Sequence, residues 1–175
     1  MQVYKLYESI YRYFGDTTPI FGDCGKLCDK ACCASDDTDE TGMYLFPGEK
    51  VLFKNNPDYK IISSEFTYGE KTADIVICKS ACDRNTRPLS CRIFPLVPYY
   101  RENVGLKIIR DPRAYAVCPL SSRAAEAYLN PLFIKKTQKT FALLTQFSEV
   151  RSFLTGLSDI LDDYLKFEPG EVTCL

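Results

Sequence analysis

Nine of the 175 residues are cysteine and none is histidine. Eight of those thiols fall into a pattern: Cys24, Cys28, Cys32 and Cys33, then Cys78, Cys82 and Cys91, then Cys118. A metal site built from this chain must use thiolates, aided at most by a carboxylate, and such soft ligands select zinc, iron–sulfur clusters or Cu(I) over magnesium or calcium. The absence of histidine also removes the commonest general base and the usual partner of a cysteine nucleophile. It argues against conventional acid–base catalysis and leaves open whether the chain is an enzyme.

A chain of this length fits one domain and can bury a core without covalent staples. With 22 basic and 23 acidic residues the formal net charge is -1, so no global field draws it to nucleic acid or to an anionic membrane. Neither partner is expected. Residues 1–16 form a tyrosine-rich amphipathic segment without the apolar stretch and cleavage site of a secretory signal. No stretch is long enough to span a bilayer. The expected compartment is the cytoplasm, where thiols stay reduced and clustered cysteines point to metal or redox chemistry rather than disulfides.

The apolar pattern predicts an α+β fold. Val3, Leu6, Tyr7, Ile10, Tyr11 and Phe14 recur at helical spacing up to Gly15. Residues 16–41 then shift to Gly, Cys, Asp and Lys, too polar to form a core element, so metal is expected to order them. Pro47 opens a short helix through Phe53. Tyr59–Tyr68 and Ala73–Cys78 read as a hairpin, and Leu96–Tyr100 with Val104–Ile109 as a second, where Pro95 and Pro98 require an edge. Asn130-Pro131 caps a helix carrying Phe133, Thr137, Phe141, Leu144 and Phe147. A second helix starts near Ser148 with a wide apolar stripe. The expected organisation is one domain over 1–175, with a cysteine-rich metal-binding region at 16–120 and a helical hairpin at 130–168.

Cys24, Cys28 and Cys32 are four residues apart, a spacing that places side chains on one face of a helix, although ligands on turns converge as well. Cys33 must point away from Cys32 in most backbone conformations, which favours two metals over one. Cys78 and Cys82 repeat the four-residue step. Eight thiols suffice for two tetrahedral Cys₄ zinc sites, or for one iron–sulfur cluster with thiols left over. Arg87, Arg92 and Arg113 lie near these cysteines and are equally well read as donors to ligand sulfur or as surface residues. Asp36, Asp37, Asp39 and Glu40 read as a solvated acidic loop.

The early cluster ending in Cys32-Cys33, the segment Cys82 through Arg87-Pro88-Leu89-Ser90-Cys91-Arg92-Ile93-Phe94-Pro95, and Cys118-Pro119 together resemble the CxxCxxCC, or YkgJ-like, family of zinc- or iron-chelating proteins. The likeness covers roughly 23–120. It departs from the name-giving pattern in having three residues between the early cysteines. The resemblance implies metal binding through Cys24, Cys28, Cys32, Cys33, Cys78, Cys82, Cys91 and Cys118. Some relatives are described as iron–sulfur oxidoreductases, and flagellin lysine methylases carry a similar region. Three functions are therefore expected in order: a zinc-binding protein, with two ions; an iron–sulfur enzyme of oxidoreductase or protein-methyltransferase type; and a metal chaperone or sensor.

Overall fold

The computed structural model describes residues 3–33, 42–79, 84–122, 125 and 128–166. Helix α1, Val3–Phe14, turns Leu6, Tyr7, Ile10 and Phe14 inward, as its periodicity predicts, and ends at Gly15, whose φ of 50° suits a residue without a Cβ. The expected helix after Pro47 is shorter, a 3₁₀ turn at Glu49–Leu52 entered through Gly48 in the left-handed region.

Two antiparallel sheets follow, which together with the helices make the fold α+β. In the first, β2 (Tyr59–Tyr68) pairs with β3 (Lys71–Cys78), with Tyr59 opposite Cys78. The hydrophobic alternation of β2 is interrupted between Ser63 and Thr67, where the register shifts. Ser64 repairs the ladder there: its Oγ donates to Ala73 O at 2.8 Å and accepts from Phe66 N at 3.1 Å. A two-residue strand β1, Met43–Tyr44, covers the other edge of β3. Sequence periodicity cannot register so short a strand. The second sheet pairs β4 (Leu96–Arg101) with β5 (Gly105–Arg110), and Pro98 is accommodated because only two strands are present. Helix α2, Leu89–Ile93, precedes β4.

Helix α3, Pro131–Leu144, begins as expected: the Asn130 side chain accepts from Leu132 N at 3.0 Å and proline occupies the first turn. Helix α4, Ser148–Leu165, crosses both sheets. On one side Phe153 meets Phe66 and Tyr68, each with ring centroids 5.1 Å away. On the other, the fully buried Ser158 accepts from Tyr100 N at 2.9 Å, while Tyr99 donates to Asp162 at 3.0 Å and Arg101 pairs with Asp159 and Asp162. Phe46 and Phe141 complete the aromatic centre at 4.9 Å. Among the described residues no helix is long and apolar enough to cross a membrane.

Gly156 lets α4 approach β2, since a Cβ there would lie 2.7 Å from the Phe66 ring. That ring is held by Tyr44, Tyr68 and Phe153 and has little room to yield. Gly156→Ala should therefore destabilise by about 1–2 kcal/mol in urea denaturation, the overpacking outweighing alanine's roughly 1 kcal/mol helical advantage.

Candidate metal centre

The first cysteine segment is not one helix. Two 3₁₀ turns, Cys24–Leu27 and Ala31–Cys33, are separated by Asp29 and Lys30 at φ 48° and 58°. Left-handed backbone at two side-chain-bearing residues costs roughly 1–2 kcal/mol apiece, so the surroundings must hold this reversal in place. Asp23 caps the first turn by accepting from Gly25 N at 3.0 Å, and Lys30 N returns to Gly25 O at 3.0 Å. Upstream the segment is strapped to α3: Asn130 N donates to Pro19 O at 2.7 Å, and Lys136 Nζ reaches Phe14 O and Thr17 Oγ1 at 3.0 and 2.7 Å.

Cys91 arrives on α2, whose position is fixed by a buried polar network. Glu49 has no exposure at all. Its carboxylate accepts from Leu89 N at 2.6 Å, from Phe46 N at 3.0 Å and from the Tyr11 hydroxyl. Arg92 stacks 4.2 Å from the centre of the Tyr11 ring, donates to Arg87 O at 2.9 Å and binds Asn85 O. One acid from the Glu49 turn and one base from α2 thus shape the loop that precedes Cys91. Cys118 follows β5 through a turn capped by Asp111, which accepts from Arg113 N at 3.0 Å and clasps the Arg113 guanidinium at 2.8 and 2.7 Å. Cys118 N then donates to Ala114 O at 2.8 Å, and Ser121 Oγ closes on Cys118 O at 2.5 Å.

These three segments bring Cys24, Cys28, Cys32, Cys91 and Cys118 to the wall of one cavity of about 40 Å³, together with Arg87, Arg92 and Phe94. The remaining thiols are elsewhere. Cys33 lies on an adjacent, larger cavity, with its sulfur 4.0 Å from that of Cys32. Cys78 ends β3 beside the small apolar cluster of Leu45, Phe53, Tyr59 and Val76 and lines neither cavity. Cys82 and the acidic loop of Asp36, Asp37, Asp39 and Glu40 lie outside the described residues. Among the described residues no group of three cysteine or carboxylate side chains stands in an arrangement that could hold an ion without side-chain rotation.

The thiols disfavour one another's ionisation. The hydrogen bond with Cys33 pushes Cys32 upward most, followed by burial and by the neighbouring Cys33, Cys28 and Cys24. Burial pushes Cys118 upward, with Cys28 and Cys24 adding to it. A cation would reverse that ordering, because thiolates repel each other only while nothing positive lies between them. Arg87 and Arg92 supply fixed positive charge at the same wall.

Glu49 and Asp111 escape the sequence reading because no cysteine or motif marks them. The available signal for Glu49 was its place between Phe46 and Val51-Leu52-Phe53, where a lone acid must be buried beside apolar neighbours. Burial raises its carboxyl, against the opposing effect of Tyr11, Leu89, Phe46 and Arg92. A raised carboxyl binds its proton to higher pH in the folded chain than in the unfolded one. The resulting stabilisation is complete below the ordinary carboxyl range, about 4–4.5, and is lost as pH climbs through the folded value. The other groups facing it, Tyr7 and Tyr11 from α1 and Arg92 from α2, do not titrate between pH 4 and about 7.

Glu49→Gln keeps the shape but sets an amide N–H against one backbone donor, a cost of about 1–3 kcal/mol. In urea denaturation across that pH range, the stability advantage of the native chain over this variant should be largest at the acid end and shrink as pH rises. Exposure makes a separate prediction for the thiols. Cys33 is exposed and Cys118 is 9% exposed. Under reducing conditions iodoacetamide should label Cys33 at least about tenfold faster, as read by peptide mass spectrometry.

No protein-family model matches the chain, and no curated protein or solved structure is significantly similar to it.

Proposed function

We propose that the chain is a metal-binding protein that holds one zinc ion among the thiolates of Cys24, Cys28, Cys32, Cys91 and Cys118. The observation that carries this reading is the convergence of five cysteines from three separate segments on a single small cavity. Cysteines scattered as apolar filler would not be expected to meet in this way. A tetrahedral site takes four thiolates, so the fifth is available as a hydrogen-bonding or exchanging ligand. The all-sulfur donor set fits zinc, and the cavity suits one ion better than a four-iron cluster, which needs far more room. Zinc would act as an electrostatic clamp, supplying the positive charge that lets the crowded thiols ionise.

The two-ion arrangement has less support. Cys33 borders the neighbouring cavity and Cys78 lies against the apolar cluster of β3, so a second Cys₄ set is not assembled among the described residues. Likeness to the CxxCxxCC family points to the same chemistry, and membership of that family belongs to this proposal. The fixed, half-buried ligand wall is better suited to a retained ion than to transfer between partners, which needs exposed ligands.

Elemental analysis of the reduced full chain, purified without added metal, tests the proposal. It should contain about one zinc per chain. Cys28→Ser and Cys118→Ser should each lower that content severalfold, and Cys78→Ser should leave it unchanged. A folded, reduced and metal-free preparation would overturn the reading, as would equal loss in the Cys78 variant.

A further inference from the structure

Beside the thiol cavity lies a second one of about 340 Å³, within the range of roughly 300–1,000 Å³ typical of small-molecule sites. The two share Cys32, Arg87, Cys91 and Phe94. The larger one carries Arg87 and Arg113 on its wall against a single carboxylate, Asp111. With the thiols protonated, its lining therefore bears one net positive charge. Asp111 occupies the Nε and Nη2 edge of Arg113, which leaves Nη1 as that fork's remaining donor.

Through Gly42, Met43, Asp111 and Arg113 this cavity adjoins a recess of about 150 Å³ walled by Tyr44, Phe46, Phe153 and Leu157. One polar side chain enters that wall. Ser90 is 8% exposed, and its Oγ is buried without a hydrogen-bond partner. A hydroxyl left in that state costs about 1–3 kcal/mol, and a bound group that pairs with it recovers this.

We propose that the paired cavities bind a small aromatic monocarboxylic acid, with its carboxylate at Arg87 and Arg113, its ring in the recess, and a ring hydroxyl paired with Ser90 Oγ. A single net charge matches a carboxylate better than a dianionic phosphate, and the aromatic wall provides edge and face contacts for a ring. The inference does not rest on the metal reading, because none of these contacts requires an ion at the thiols.

The test uses the full chain under reductant, with hydroxyphenylpropionate as probe and titration calorimetry with saturation-transfer NMR as readouts. The acid should bind, and its uncharged amide should bind about tenfold more weakly, the equivalent of one lost ion pair. Arg87→Gln should weaken the acid by a similar factor without affecting the amide. Ser90→Ala should abolish the preference for hydroxyphenylpropionate over phenylpropionate. No binding at millimolar acid, or equal binding of acid and amide, would overturn the proposal on the unaltered chain, whatever the variants do. Zinc content measured on the same samples separates the two readings: binding without zinc removes only the metal proposal, and zinc without binding removes only this one.

Discussion

A carboxylate with no access to water has to be satisfied by the protein, and Glu49 meets that demand by drawing three elements together. Its oxygens take the Tyr11 hydroxyl of α1, the Phe46 amide and the Leu89 amide at the start of α2. Burial without these partners would cost several kcal/mol, so the three segments cannot separate independently. Arg92 extends the network to Arg87 and Asn85. The shape of the loop before Cys91 is thus set by an interaction outside both cavities.

Much of the architecture could be read from residue order. The helix of Tyr7, Ile10 and Phe14, the two hairpins and the Asn130-Pro131 start all follow from local rules: apolar spacing, turn residues and caps. These are short-range signals, and they appear in the structure nearly where they were expected. What local rules miss depends on distant partners. Strand β1 exists only because β3 offers an edge, and α2 is five residues long and owes its start to Glu49. The four-residue spacing of Cys24, Cys28 and Cys32 suggested a helical face; Asp29 and Lys30 in left-handed conformation replace it with two turns.

The candidate site was legible in its residue types but not in its grouping. Spacing identifies which cysteines are near neighbours along the chain, and that placed Cys78 beside Cys82 and Cys91. In space the strand carries Cys78 to the Leu45, Phe53 and Tyr59 cluster, while Cys118 comes from far downstream to join Cys24 and Cys28. The arginines were ambiguous in sequence because their role depends on which wall they reach. Arg87 borders both cavities, Arg92 belongs to the buried network and Arg113 is clasped by Asp111.

The strap between the cysteine segment and α3 bears on how this protein can be divided. Pro19, Thr17 and the end of α1 are held by Asn130 and Lys136, residues more than a hundred positions away. A fragment ending near residue 122 would retain every cysteine that lines the thiol cavity yet lose the anchor that fixes the approach to Cys24. It would also expose the face that α4 covers over both sheets. The cysteine-rich part is consequently not a transplantable cassette. Its geometry is borrowed from the helical end of the chain, and changes in α3 are a route by which the thiol cluster can be retuned without touching a thiol.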